Sequence, residues 1–197
     1  MIQYWIFDMD GTITVPKHDF DEIRTRLGLT AGKDILKEIE RLPETRRAKA
    51  HEELRDWEEE IAYKGEAAPD AKELLDFLHQ RGSSLAVLTR NTKKLAHITL
   101  AQAGLQPYFT EPFILGRDCA KPKPEPDGIL HITNLWNVKA SECMMVGDYI
   151  HDVAAGRNAG CTTTFIQRQY ILEQPALADY NCRDLRSLIP LMKDGLL

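Results

Sequence analysis

Two aspartates with one residue between them, Asp8 and Asp10, are the side chains of this 197-residue chain best placed to do chemistry. They follow the apolar run Tyr4–Phe7, which predicts a buried strand, and they precede Gly11 and Thr12, which predict a tight turn. Alternate residues at the end of a strand point the same way, so one carboxylate can attack or hold a metal while the other transfers a proton. Because ligands bind where the strands of an open α/β sheet end, we expect an active site at this turn.

An anion-binding site is predicted after a second apolar run, Ser84–Leu88, which ends in Thr89, Arg90 and Asn91. Asn91 is a residue type that caps helices, so we expect it to begin the helix that follows. The backbone N–H groups and the positive end of that helix would then face the same place as the Thr89 hydroxyl. Such an arrangement attracts anions.

Two further segments complete a series of four. Segment 121–127 reads K-P-K-P-E-P-D, and segment 147–152 reads G-D-Y-I-H-D after the apolar run 143–146. In this order the four segments resemble the motifs of the haloacid dehalogenase (HAD) superfamily of aspartyl phosphotransferases, in particular its phosphoglycolate phosphatase-like members. Each segment alone is weak evidence, but the four in sequence are specific, and the resemblance covers most of the chain.

The resemblance implies that Asp8 is the nucleophile and that Asp10 protonates the leaving group and then activates water. It also implies a Mg²⁺ cofactor, held by the carboxylates of Asp8 and Asp148 and by the backbone carbonyl of Asp10. The positions expected to bind the phosphate group are Gly11, Thr89, Arg90, Asn91 and Lys123.

The lysine of the third motif is duplicated. Lys123 fits the family pattern better than Lys121, because prolines and an acid follow it in the expected order at 124–127, so we prefer Lys123. Its ammonium would neutralise the phosphoryl oxygens and the attacking carboxylate. Two roles are open for Asp152, which lies one helical turn beyond Asp148: it could reach the metal through water, or it could position Lys123.

The segment 15–67, between the first and second motifs, is rich in charge and predicts helices. Apolar residues recur there at helical spacing, at Ile35, Leu36, Ile39 and Leu42 and again at Ala50, Leu54, Trp57 and Ile61. Most of the charges on the other faces are expected to be solvated; these are Arg46, Arg47, Lys49, Glu52, Glu53, Arg55, Glu58, Glu59 and Glu60. A few basic residues could instead meet an anionic substrate, and the candidates are Lys17, His18, Arg46, Arg47, Lys49 and His51. The resemblance implies a small helical cap domain, 15–67, inserted into an α/β core of 1–14 and 68–197.

Outside this segment the chain alternates between helix and strand, which predicts a three-layer, Rossmann-like α/β core with a mainly parallel sheet. Helices are expected at 69–82, 91–104, 129–136 and 183–193, and further strands at 113–115, 143–146 and 163–166. The strand 163–166 is expected to be the last of the core.

Composition narrows the class of protein. The formal net charge of −5 and the pI near 5.7 argue against a nucleic-acid-binding surface. The sequence has no apolar stretch near the ~20 residues of a membrane span and no recognisable signal segment, so we expect no membrane partner and a cytoplasmic location. The four cysteines lack metal-ligand spacing and are expected to be reduced. Monomer and small homo-oligomer are both open.

The resemblance therefore implies a magnesium-dependent phosphatase whose partner is a small phosphorylated metabolite. Asp10 disfavours the dehalogenases and transport ATPases of the superfamily, which lack an acid at that place. Two alternatives stay open: a sugar phosphomutase, which would use the same two aspartates, and a non-catalytic binding protein on the same scaffold. No motif in 15–67 identifies the natural substrate.

Overall fold

The computed structural model describes residues 2–167 and 177–197. Contacts between residues divide the chain into a larger unit, Met1–Pro16 with Gly65–Leu197, and a smaller unit, Lys17–Lys64. The boundaries predicted from the sequence, 1–14 with 68–197 and 15–67, lie within a few residues of these.

The smaller unit consists of helices, as the apolar spacing of its sequence predicts. They are α1 Phe20–Leu27, α2 Ile35–Glu40 and α3 Glu44–Ala62. Asp19 begins α1 by accepting hydrogen bonds from the backbone N–H groups of Asp21, at 3.1 Å, and Glu22, at 2.9 Å. The helices enclose an apolar core of Ile23, Leu27, Ile39, Ala50, Leu54 and Trp57. Two expectations were wrong: Leu36 is 42% exposed rather than part of the apolar face, and Glu58 is buried rather than solvated.

The larger unit is built on a parallel sheet whose described strands have the order β3-β2-β1-β4-β5-β6. In chain order the strands are β1 Tyr4–Phe7, β2 Ser84–Leu88, β3 Ile114–Leu115, β4 Cys143–Gly147, β5 Thr162–Ile166 and β6 Tyr180–Cys182. β1 lies between β2 and β4, with Phe7 level with Val87 and Val146. Because these three strands run parallel, the loops that follow them meet at one edge of the sheet.

Helices cover both faces of this sheet, which confirms the predicted three-layer α/β fold. They are α4 Ala71–Gln80, α5 Lys93–Gln102, α6 Asp127–Trp136, α7 Ile150–Ala159 and α8 Leu188–Lys193. Trp5 and Phe7 pack in the core shared with α4, α5 and α8, whereas Ile6 points to the core shared with α6 and α7. A Cβ at Gly156 of α7 would crowd Thr163 and Met145, so this helix needs a glycine there to pack closely on the sheet.

The end of the chain differs from the prediction in two ways. β6 follows the strand predicted to be last, and the helix predicted from residue 183 begins only at Leu188. A 3₁₀ turn precedes that helix, and Asp184 caps it by accepting a hydrogen bond of 2.9 Å from the backbone N–H of Ser187. The buried Asp70 carboxylate also holds this turn, because it accepts hydrogen bonds from the backbone N–H groups of Leu185, at 2.5 Å, and Arg186, at 3.2 Å. Segment 168–176 of the predicted tail lies outside the described residues.

Predictions from the sequence also concerned membrane-spanning segments and the cysteines. Among the described residues, none of the helices combines the length and apolar character needed to cross a bilayer. The four cysteines are free thiols, with Cys119 exposed and Cys143, Cys161 and Cys182 buried.

Candidate active site

The loop that follows β1 brings the first aspartate into contact with a lysine more than a hundred residues away. The Lys123 ammonium lies 2.5 Å from Asp8 Oδ1 and 2.6 Å from Asp152 Oδ1. All three side chains are buried, with exposed fractions of 2% for Lys123, 11% for Asp8 and 3% for Asp152. Burial alone would lower the pKa of Lys123, but the charges of Asp152 and Asp8 outweigh it and raise that pKa. The lysine is therefore held as a cation.

The two lysines of the duplicated motif lie in different environments. Lys123 lies inside this cluster, whereas the Lys121 side chain is 72% exposed and lies 3.6 Å from Asp127 Oδ1 at the surface. The structure thus brings Lys123, and not Lys121, to the edge of the sheet where the motif loops meet.

Asp152 uses both of its carboxylate oxygens within the protein. Oδ1 contacts the Lys123 ammonium, and Oδ2 accepts a hydrogen bond of 2.9 Å from the backbone N–H of Tyr149. A Cβ at Gly147 would collide with the Asp152 carboxylate, so a glycine is needed for this close approach. Of the two roles predicted for Asp152, this geometry favours positioning the lysine.

A third buried carboxylate, Asp148, follows β4 and faces the first loop. Its Oδ1 accepts a hydrogen bond of 2.9 Å from the Thr12 hydroxyl, which also lies 3.5 Å from Asp8 Oδ2. Gly11, with a φ of 91°, occupies a position where a Cβ would collide with the Asp148 carboxylate. Gly11 therefore supports the site by leaving room for Asp148.

The carboxylates form a cluster that suits a hard divalent cation. One oxygen each of Asp8, Asp148 and Asp152 lies within 4.8 Å of the others, and all three residues are buried. Burial raises the pKa of Asp8 well above its ordinary value against the opposing charge of Lys123, and burial raises the pKa of Asp148 to about 6. Three carboxylates against one ammonium leave an excess of negative charge. Oxygen ligands and that excess fit Mg²⁺.

The second aspartate of the motif is held away from this cluster. Asn91 Nδ2 donates a hydrogen bond of 2.8 Å to Asp10 Oδ2, and the backbone N–H of Asn91 donates one of 3.1 Å to the Thr89 hydroxyl. Asn91 was expected to cap α5, but that prediction was wrong. Thr92 is the cap and accepts a hydrogen bond of 3.4 Å from the backbone N–H of Leu95. Asn91 instead links the second motif to the first.

Arg90 was also predicted to bind the phosphate group, but its side chain is exposed, so the structure supports this role less than for the other predicted residues. Its backbone carbonyl accepts a hydrogen bond of 3.2 Å from Arg117 Nη1. Three residues near the site were not predicted to be site residues: Thr12, which was named only as part of a turn, and Arg117 and Asp118. The hydroxyl of Thr12 within the first motif was a usable signal, but nothing in the sequence around Arg117 marks it.

Comparisons with known proteins agree with this architecture. A family model described as haloacid dehalogenase-like hydrolase matches residues 2–160. A haloacid dehalogenase-like hydrolase domain-containing protein of Arabidopsis thaliana is 35% identical over 173 residues, which cover 82% of this chain and 69% of that protein. Phosphoglycolate phosphatase of Vibrio parahaemolyticus is 36% identical over 111 residues, or 56% of this chain and 48% of that enzyme. The crystal structure of a hydrolase from Pseudomonas syringae has the same fold, with a TM-score of 0.79 and 22% identity over 98% of this chain and 99% of that one.

Proposed function

The chain belongs to the haloacid dehalogenase-like hydrolases, and we propose that it is a magnesium-dependent phosphatase that acts on a small-molecule phosphomonoester. One observation carries the proposal: Asp8 lies against the buried ammonium of Lys123, while Asp10 is held apart by Asn91. A carboxylate beside a cation suits a nucleophile that must approach an anionic phosphate, and a separate carboxylate suits proton transfer. The similarity to phosphoglycolate phosphatase supports the same class of reaction.

The proposed reaction has two steps. In the first, an oxygen of Asp8 attacks the phosphorus, the P–O bond to the alcohol breaks, and the Asp10 carboxyl gives its proton to the leaving oxygen. This step yields an aspartyl-phosphate on Asp8 and the free alcohol. In the second, the Asp10 carboxylate takes a proton from the water that attacks the phosphorus, and the bond to Asp8 breaks. Inorganic phosphate leaves, Asp8 is ionised again and Asp10 is protonated again.

The surrounding residues would bind and orient the phosphate group. The Lys123 ammonium offsets the repulsion between the Asp8 carboxylate and the phosphate, and Asp152 holds that ammonium in place. The Thr89 hydroxyl and the backbone N–H groups near Arg90 are proposed to contact the phosphoryl oxygens. Gly11 contributes through its backbone and through the space that it leaves for Asp148.

The proposed metal ligands are the carboxylates of Asp8 and Asp148 and the backbone carbonyl of Asp10. The buried oxygen cluster and its uncompensated negative charge support this assignment. When bound, Mg²⁺ would supply electrostatic stabilisation of the phosphoryl oxygens. Asp152 is assigned to the lysine, because its Oδ1 contacts the Lys123 ammonium and its Oδ2 accepts a hydrogen bond from the backbone N–H of Tyr149.

Three sequence-based predictions accompany this proposal. Segment 15–67 is expected to act as a cap that helps to select the substrate, and the substrate is expected to be a small phosphorylated metabolite. The protein is expected to act in the cytoplasm.

The proposal is tested by measuring phosphate release from a panel of phosphoglycolate, sugar phosphates, nucleotides and an aryl phosphate, with Mg²⁺ and with a chelator. We expect release that requires Mg²⁺ and is abolished in Asp8→Asn. A folded protein that binds Mg²⁺ but releases no phosphate would contradict the proposal. In that case, isomerisation of a sugar phosphate would identify a phosphomutase, and binding without turnover would identify a non-catalytic protein.

A further inference from the structure

A loop that follows β3 contacts the loop that follows β2 through hydrogen bonds from one residue. The backbone N–H of Arg117 donates to the carbonyl of Asn91 at 2.8 Å, and its guanidinium Nη1 donates to the carbonyl of Arg90 at 3.2 Å. Arg117 therefore holds two consecutive peptide groups of the loop that contains Thr89 and Asn91. Arg117 is half-buried as a residue, and its guanidinium bond to the Arg90 carbonyl lies at the exposed surface.

The neighbours of Arg117 reinforce this contact. Asp118 Oδ1 accepts a hydrogen bond of 2.8 Å from the backbone N–H of Lys93, at the start of α5. A Cβ at Gly116 would collide with the backbone of Asn91 and Lys93, so the two loops approach as closely as a glycine allows. Three successive residues, 116–118, thus contact the loop that follows β2. We call residues 116–118 the β3 clamp.

The β3 clamp acts on the first motif through a single side chain. Asn91, whose backbone carbonyl is held by Arg117, donates from its side-chain Nδ2 to Asp10 Oδ2 at 2.8 Å. An amide N–H can only donate, so Oδ2 is the acceptor here, and the bond is strongest when Oδ2 is the oxygen of Asp10 that carries no proton. The Asn91 amide therefore favours the acid form of Asp10 with its proton on Oδ1.

We propose that Arg117 is a positioning residue for Asp10: its guanidinium fixes the carbonyl of Arg90, which belongs to the peptide group that joins Arg90 to Asn91, so that the Asn91 amide directs the proton on Asp10 Oδ1 towards the leaving group. Arg117→Ala removes this side-chain contact and leaves the backbone bond to the Asn91 carbonyl in place. This inference rests on the proposed phosphatase function, in which Asp10 is the general acid. Proton transfer depends on geometry at the scale of an ångström, so a loop that is free to shift would weaken general acid catalysis without removing the acid.

The test measures kcat/KM for a series of aryl and alkyl phosphates whose leaving groups differ in pKa. Poor leaving groups need the proton from Asp10 most, so Arg117→Ala should lose about 10–100-fold on an alkyl phosphate and much less on an activated aryl phosphate. Its dependence on leaving-group pKa should become steeper, as in Asp10→Asn. Arg117→Lys keeps a donor for the Arg90 carbonyl and should recover part of the loss. Arg186→Ala removes an arginine that is 61% exposed and paired with Glu73, and it should behave as wild type.

Two results separate the inference from the function on which it rests. A wild-type protein that releases no phosphate from any compound would contradict the proposed function. An active wild type with the same leaving-group dependence as Arg117→Ala would contradict only the positioning role.

A second measurement needs no turnover. The side-chain amide resonance of Asn91, assigned by its loss in Asn91→Ala, should move in Arg117→Ala towards the position of a solvated asparagine. An unchanged resonance would overturn the inference, whatever the activity of the enzyme.

Discussion

Replacing Lys123 with methionine removes a buried cation while keeping most of the length of the side chain. The exposed fractions are 2% for Lys123, 11% for Asp8 and 3% for Asp152, and the ammonium contacts both carboxylates at 2.5 and 2.6 Å. Removing one partner of a buried ion pair costs about 3–5 kcal/mol, because the other charge stays buried without compensation. Two carboxylates lose the same partner here, so we expect Lys123→Met to lower the free energy of unfolding by about 4–5 kcal/mol at pH 7.

The assay is urea unfolding and calorimetry of the metal-free protein at pH 7, with Lys121→Met as the matched control. A loss of this size corresponds to a decrease in Tm of about 8–20 °C for a chain of this length. Lys121 is 72% exposed and 3.6 Å from Asp127, so its removal should cost no more than about 1 kcal/mol. Adding Asp152→Asn to Lys123→Met should recover part of the loss, since one of the two uncompensated charges is then gone.

The pH dependence gives this prediction a second check. Burial already raises the pKa of Asp8, and losing Lys123 should raise it further. A carboxyl whose pKa is higher in the folded than in the unfolded state binds more protons when folded, so the free energy of unfolding rises as the pH falls towards the unfolded value of about 4. The penalty of Lys123→Met should therefore shrink between pH 7 and pH 5. Equal stability of Lys123→Met and Lys121→Met at pH 7 would refute the buried ion-pair cluster.

Three further predictions concern single sites. Gly11→Ala should displace Asp148 and thereby weaken Mg²⁺ binding roughly 10–100-fold, as measured by titration calorimetry. The control is Gly82→Ala, which also has a positive φ but has open space around it, and it should leave Mg²⁺ binding unchanged. Equal effects of the two variants would mean that backbone strain alone is responsible. Burial raises the pKa of Asp148 to about 6, so Mg²⁺ affinity should fall roughly tenfold per pH unit below pH 6 as the metal competes with a proton, and a flat profile would contradict this. Tyr108 donates a hydrogen bond of 2.6 Å to Asp76, which raises the pKa of Tyr108 to about 12. In an alkaline titration of tyrosinate absorbance, Tyr108→Phe should remove a step near pH 12, and an unchanged titration would contradict this.

The parts of the fold that follow from local patterns were predictable. The apolar and β-branched runs at β1, β2, β3, β4 and β5 predicted these five strands, and the glycine and proline signals placed the helices between them. β6 has only three residues, of which Cys182 alone is buried, so it carries no pattern from which a strand could be read. The turn that precedes α8 is capped by the local residue Asp184, but it is also held by Asp70, which lies 115 residues from Leu185. No local window of sequence contains that interaction.

The same distinction applies to the candidate site. The motifs predicted which side chains meet at the edge of the sheet, and the order of prolines favoured Lys123, which is the lysine in contact with Asp8. Asn91 and Thr92 are both good helix caps, and local propensity did not distinguish them. The difference comes from Asp10, which lies 81 residues away and accepts a hydrogen bond from the Asn91 amide. Arg117 donates its hydrogen bonds to the backbone carbonyls of Asn91 and Arg90. Every residue has such a carbonyl, so these contacts could not be predicted from the types of the residues involved.

The central claim is that Asp8 becomes covalently phosphorylated during turnover. The most direct measurement is to mix the protein with an aryl phosphate and Mg²⁺, quench it in acid within the first turnover, and map the phosphorylated peptide by mass spectrometry. We predict a phosphoryl group on Asp8 that is absent from Asp8→Asn and accumulates in Asp10→Asn, in which attack by water is slowed. Steady release of phosphate without any adduct, or turnover that survives in Asp8→Asn, would contradict the account.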